Sequence, residues 1–219
     1  MKKLLVLLMT FTLILTLLLP VFAESSHADI SAPAKSAASV LLAQKSSVET
    51  KPPFTDVAEG GWAYDGVKYC WNNGLVNGTA ADKFSPDAAL TRAQLWTILA
   101  RLDGQTLTGD IMAAARTWAV GAGITDGANP GSAVTREELA AMLWRYAKYK
   151  KYDVSVGEDT NILSYEDAME ISEYAIPAIQ WACGAGVMNG SGNSLLPHKT
   201  ATRAQTAVMI MRFCVNTAK

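Results

Sequence analysis

The chain has 219 residues, with 19 Lys and Arg against 20 Asp and Glu, and half of its residues are hydrophobic. That balance argues against nucleic acid as a partner, which needs a basic face. Two His and three Cys, in no CxxC or Cys/His spacing, supply no metal motif, and no cofactor is expected.

Residues 1–23 have the layout of an export signal. Lys2 and Lys3 precede the apolar run Leu4 to Leu19, and Pro20-Val21-Phe22-Ala23 places small residues at the cleavage positions. A retained membrane anchor is the competing reading, since about 19 apolar residues just span a bilayer. The basic start, short core and small-residue exit together favour cleavage after Ala23. No Cys directly follows the run, which argues against a lipid-anchored form. The mature chain would begin at Glu24, outside the cytoplasmic membrane, touching it only through an uncleaved signal. Without Lys2 and Lys3, 17 basic residues face 20 acidic ones, a net charge of about −3. Long-range attraction will then not draw in an anion, so local groups must hold any that binds.

Residues 24–53 are rich in Ser, Ala, Lys and Pro and read as a flexible tether ending at Lys51-Pro52-Pro53. Beyond it the sequence repeats itself, in units assigned to residues 54–104, 105–149 (shortened) and 150–219. Each unit reads as a leading helix, a glycine turn, a loop and a capped helix. The first leading helix is predicted from about Trp62 to Asn73, with Ala63, Val67, Cys70 and Trp71 at helical spacing. Gly74-Leu75-Val76-Asn77-Gly78 then ends it, matched by Gly123 to Gly127 and Gly186 to Gly190. Asn77-Gly78 suits positive φ.

The strongest repeat is Thr-Arg-x-Glu/Gln, at Thr91 to Gln94, Thr135 to Glu138 and Thr202 to Gln205. Thr followed three residues later by Glu or Gln is a capping box, and an apolar stripe continues from each copy. Arg at the first helical position is mildly unfavourable beside the positive end of the helix dipole. Its threefold recurrence points to a repeated anion site, at a helix start that offers backbone N–H groups.

Other columns have plainer readings. Tyr69, Trp118 and Trp181, five residues before the first glycine, suit core packing. Arg101, Arg145 and Arg212, nine residues after the first arginine, suit inter-unit pairing or a solvated face. Lys148 to Lys151 reads as a solvated helix end. Cys70 and Cys183 lie in apolar runs where a thiol behaves as a small hydrophobe. A single disulfide among Cys70, Cys183 and Cys214 stays open, its connectivity unreadable.

These columns resemble the S-layer homology repeat: an aromatic-x-Asp start, an aromatic-Ala helix, a Gly-x-x-x-Gly turn, an aromatic-x-Pro loop and a Thr-Arg-Ala-Glu helix. Unit one matches through Phe54-Thr55-Asp56-Val57, Trp62-Ala63, Gly74 to Gly78, Phe84-Ser85-Pro86 and Leu90 to Gln94. Unit three matches through Tyr165-Glu166-Asp167, Ile171-Ser172, Tyr174-Ala175, Gly186 to Gly190, Pro197 and Thr202 to Gln205. The resemblance implies an all-α domain of three tandem helix-loop-helix repeats, three-pronged and pseudo-threefold around a central three-helix bundle. It also implies noncovalent binding of pyruvylated secondary cell-wall polysaccharide in grooves between prongs, at the surface of a Gram-positive bacterium. Carried over by position, the ligand residues are Arg92, Arg136, Arg203, Gly78, Gly127, Gly190, Asp56, Trp62, Asp167, Ser172 and Tyr174.

Unit two departs from the pattern. It lacks the aromatic-x-Asp start, and Ile111 holds the column of Trp62 and Tyr174. The shortened interval from Gly127 to Arg136 implies that its Phe-x-Pro loop is largely missing.

A pyruvate ketal presents one carboxylate on a rigid bicyclic sugar. An Arg fork matches it bidentately, a glycine lets backbone approach without a Cβ, and an aromatic face packs on the ring. Recognition is the only chemistry required, and no residues are left for a catalytic domain. The alternative is an exported scaffold or protein-interaction protein whose repeats are mainly structural, with a protein cargo held by the tether or a prong surface.

Overall fold

The computed structural model describes residues 50–218; the expected signal at 1–23 and nearly all of the tether at 24–53 lie outside the described residues. Six α-helices follow in order: α1 Tyr64–Asn72, α2 Arg92–Leu102, α3 Ile111–Gly121, α4 Arg136–Tyr149, α5 Ile176–Gly184 and α6 Arg203–Asn216. Among the described residues there is no strand, only isolated bridges, and no helix is long and apolar enough to cross a membrane.

Helices α2, α4 and α6 each start at a complete capping box. The Thr91, Thr135 and Thr202 hydroxyls accept from the backbone N–H three residues on. The Gln94, Glu138 and Gln205 side chains accept in return from the Thr backbone N–H at 3.0, 2.9 and 3.2 Å. Just before each cap lies one buried apolar residue, and these three close a ring of backbone hydrogen bonds. Leu90 N–H donates to Ala201 O (3.1 Å), Ala201 N–H to Val134 O (2.8 Å) and Val134 N–H to Leu90 O (2.8 Å).

The ring brings each capped helix against the loop of the next. Arg92 N–H donates to Ser132 O, Arg136 N–H to Lys199 O and Arg203 N–H to Ala88 O; Ala93, Glu137 and Ala204 donate to Pro130, Pro197 and Pro86 carbonyls. Every N–H in the first turn of these helices is therefore used internally. The sequence expectation that the helix starts offer free N–H groups to an anion is corrected by this: buried helix ends need such partners, and neighbouring loops supply them.

Each leading helix packs against the capped helix that precedes it in the ring: α3 on α2, α5 on α4, and α1, the first, on α6, the last. The helix-ending glycines Gly74, Gly123 and Gly186 have φ of 67°, 70° and 65°, as a left-handed C-terminal turn requires. Gly127 also has positive φ, but Gly78 and Gly190 do not. They are needed for space instead, because a Cβ would lie 2.6 Å from the Phe54 ring or the Tyr165 ring respectively.

The loop expected to be missing from unit two is present in shortened form. Ser85, Asn129 and Leu196 share φ values of 58°, 50° and 56°, and each precedes a proline five residues before its Thr cap. Unit two has lost only the hairpin that Thr79 to Lys83 forms in unit one; Ala128-Asn129-Pro130 keeps the turn itself.

Cys70, Cys183 and Cys214 are free thiols, and burial pushes the Cys214 thiol up to about 11. Trp181 is fully buried, and Tyr69 and Trp118 pack half-buried against the core. Lys150 is less solvated than the sequence suggested, pairing at 2.8 Å with a buried Asp103 carboxylate.

The α1–α6 contact joins the two ends of the domain through Gly66, where a Cβ would stand 2.7 Å from both Val208 Cα and Cγ2. Gly66→Ala should destabilise the fold by about 1–3 kcal/mol through overpacking, despite the higher helix propensity of Ala. An unchanged or raised urea midpoint would contradict this packing.

Candidate functional site

The three tetrad arginines leave their own helices and reach the turn of the next repeat. Arg203 donates from Nε to Phe84 O (2.8 Å) and from Nη2 to Asn77 O (2.7 Å), with its guanidinium 4.5 Å from the centre of the Phe84 ring. Arg136 repeats this with Leu195 O (2.7 Å) and Asn189 O (3.0 Å). Arg92 donates from Nε to Ala128 O (2.8 Å), but its outer nitrogens meet acids: Nη2 lies 2.7 Å from Asp126 Oδ1 and Nη1 2.8 Å from Glu138 Oε1. Burial lowers the pKa of Arg136 and of Arg203 from the ordinary arginine value, with Asp167 and Asp56 respectively pulling the other way.

Several nominated residues have internal partners. The Asp56 carboxylate accepts from the Phe84 and Ser85 N–H groups, both at 2.9 Å. Asp167 does the same for Leu195 (2.8 Å) and Leu196 (2.6 Å). These acids fasten the proline loops that carry the arginine's acceptors. Ser172 and Tyr174 converge on Glu137, a buried carboxylate that takes Ser172 Oγ at 2.8 Å, Ser172 N–H at 3.1 Å and Tyr174 OH at 3.0 Å. A Cβ on Gly127 would meet Val120 and Arg116 side chains, the latter donating to Gly127 O at 2.7 Å.

Three nominated residues do come together. Trp62, Arg136 and Gly190 line one cleft of ≈ 400 Å³ between the start of α1 and the face of α6. Trp62 is 68% exposed although it is the largest kind of apolar side chain. Arg212 and Gln205 of α6 and the Asn189-Gly190-Ser191 turn also line it. Among the described residues the lining thus holds two guanidinium groups and no carboxylate. Among the described residues the Arg212 guanidinium has no hydrogen-bond or ion-pair partner, and Arg136 Nη1 has none either. Its counterparts are occupied: Arg101 donates to Leu75 O at 3.1 Å and Arg145 to Ile124 O at 3.3 Å.

Arg212 and Asn189 line the same cleft and were not among the residues expected to face a ligand. The second-arginine column was visible in the sequence, but nothing there separates the member that faces a cleft from those that bond a carbonyl. Chemically, the cleft is suited to a small anion on an amphipathic body: two cations for the charge, a flat indole for an apolar face, and amide groups for hydroxyls.

Comparison with known proteins agrees with this architecture. The S-layer homology domain family matches residues 53–95 and 164–207, which contain the whole of the first and third tetrads. The two matches support an S-layer homology domain protein. The chain is 31% identical over 189 residues to an endoglucanase of Bacillus sp. (strain KSM-635), covering 78% of this chain and 20% of that protein. It is 28% identical over 185 residues to an amylopullulanase of Thermoanaerobacterium thermosulfurigenes, covering 77% and 10%. With the S-layer protein sap of Bacillus anthracis it shares 25% over 175 residues, covering 73% and 21%. The chain spans about a fifth or less of the length of these relatives.

The Asp56 clamp gives a pH-dependent expectation. Burial works against its charge, but the Phe84 and Ser85 N–H groups outweigh it and hold the carboxyl below its ordinary 3.8. A carboxyl depressed on folding adds stability that is complete above the unfolded value and is lost as pH falls through the folded one. Asp56→Asn should therefore lose about 1 kcal/mol at pH 7, allowing for partial solvent exposure. In urea unfolding the gap from wild type should narrow on acidification below 3.8; a gap that widens would contradict the clamp.

Proposed function

We propose that this domain is a non-catalytic cell-wall attachment module that binds an acidic wall saccharide, pyruvylated secondary cell-wall polysaccharide, in the cleft between α1 and α6. The observation that carries this is the pairing of two guanidinium groups, unopposed by any acid among the described lining residues, with an exposed indole. A ketal carboxylate would take its charge-assisted bonds from Arg212 and Arg136 Nη1. The sugar's apolar face would lie on Trp62, and the hydroxyls would meet Gln205 and the 189–191 turn. Net negative charge after loss of the leader fits a site where short-range donors, rather than the overall field, select the ligand.

The same reading includes the three repeats at 54–104, 105–149 and 150–219 in a pseudo-threefold, three-pronged arrangement, and export by the signal at 1–23 to the wall of a Gram-positive cell. The relatives support a wall role: one is an S-layer protein and others are polysaccharide-degrading enzymes far longer than this chain. In this reading their shared segment anchors and their remaining length does the catalysis. A scaffold role draws support from Arg92, whose two outer nitrogens both pair with acids of the domain itself.

Co-sedimentation with purified wall polysaccharide tests the proposal. Wild type should pellet with the pyruvylated polymer and stay in solution once the ketals are removed by mild acid. Trp62→Ala and Arg212→Ala, both at exposed or half-exposed positions, should each weaken binding roughly tenfold or more while leaving the fold intact. Equal pelleting with and without pyruvate would refute it.

A further inference from the structure

The groove between α4 and α5 is built from the same columns as the α1–α6 cleft, yet its contents differ in sign. Arg92 stands where Arg136 stands, Arg145 where Arg212 stands and Tyr174 where Trp62 stands. The neutral Asn189 and Gln205 of the open cleft are replaced by Asp126 and Glu138, and both carboxylates pair with Arg92. The Ala at helix position two in the other tetrads, Ala93 and Ala204, is replaced by Glu137. Its side chain is 6% exposed and takes both polar groups of Ser172 together with the Tyr174 hydroxyl, with His198 Nδ1 3.5 Å away. Arg92, Ser172 and Tyr174 thus already face carboxylates of the chain itself, and Arg145 donates to the Ile124 carbonyl.

We propose that the α4–α5 groove is closed to acidic saccharides by the chain's own carboxylates, Glu137 and Asp126, and that these two residues decide whether this groove accepts an anion. The proposal rests on the wall-binding reading above for its ligand class. Its physical basis is competition. A tethered carboxylate is present at an effective concentration of millimolar or more, so a free saccharide meets donors that are already engaged. Next to the acids its own charge is also repelled rather than attracted. Asp126 is well suited to this role: the Ala128 N–H (2.9 Å) and the Arg92 guanidinium favour its charged form. Glu138 has a second duty, since its Oε2 closes the Thr135 capping box, so it is left unchanged in the test.

Calorimetric titration with a methyl hexopyranoside carrying a 4,6-O-pyruvate ketal provides the test. Glu137→Ala/Asp126→Asn restores the residues found in the other repeats and should bind one more saccharide per chain than wild type. The same number of sites in a variant with wild-type helical content would overturn the proposal. Asn189→Asp makes the reciprocal change at an exposed turn position, placing beside Arg136 the acid that Arg92 already has. It should weaken binding in the α1–α6 cleft at least tenfold, and an unaltered affinity would also overturn the proposal. The two ideas fail separately. Binding by the double variant alone would support the closed groove and refute the open cleft, whereas no binding by either chain would overturn both.

Discussion

The fold depends on a guanidinium that leaves the helix on which it begins. Each tetrad arginine crosses to the following repeat and donates Nε to a loop carbonyl: Ala128 for Arg92, Leu195 for Arg136 and Phe84 for Arg203. Arg at the first helical position is disfavoured by the helix dipole, but a carbonyl at 2.7–2.8 Å supplies a local acceptor that offsets it. The loops that present these carbonyls are in turn fixed, in the first and third repeats, by Asp56 and Asp167 across two consecutive N–H groups. Aromatic-x-Asp, the x-Pro turn and Thr-Arg are thus successive parts of one chain of hydrogen bonds, and the backbone ring through Leu90, Val134 and Ala201 closes it.

Because the latch uses one edge of the guanidinium, the other edge is available for a second role, and what happens there differs between repeats. Beside Arg136 the neighbours are amides and an uncommitted Arg212, and the cleft stays electropositive next to Trp62. Beside Arg92 two acids complete the pairing. Arg203 lies against the Phe84 ring, and Ile111 holds the column that carries Trp62 and Tyr174 elsewhere. A shared scaffold therefore presents three chemically distinct surfaces. The difference is set by a few side chains in columns that contribute little to the backbone latch.

Much of this was legible in the sequence, and the reason is local. Capping boxes, apolar stripes and helix-ending glycines are short-range signals, so the all-α class and the starts of α2, α4 and α6 were readable directly. The proline of the second loop was legible too: Pro130 keeps the five-residue spacing of Pro86 and Pro197, but counting from Gly127 concealed it. What the sequence did not reveal was long-range pairing. Nothing near Arg92 announces that Asp126, Glu138 and a carbonyl 36 positions away will surround it. Nor could Ser172 and Tyr174 be separated from Trp62 without knowing that Glu137 faces them. Residues nominated by position alone divided into latch, loop clamp and cleft according to contacts across the ring.

The central proposal is that one latch arginine, Arg136, also serves the cleft it lines as an anion donor. An amide and indole NMR titration of the labelled domain with a pyruvate-ketal hexoside addresses it directly. The account predicts shifts at the Trp62 indole N–H and at the Gly190 and Ser191 amides, with Ala128 and Tyr174 unmoved. Shifts centred on Ala128 and Tyr174, or no perturbation around Trp62 at saturating saccharide, would contradict it.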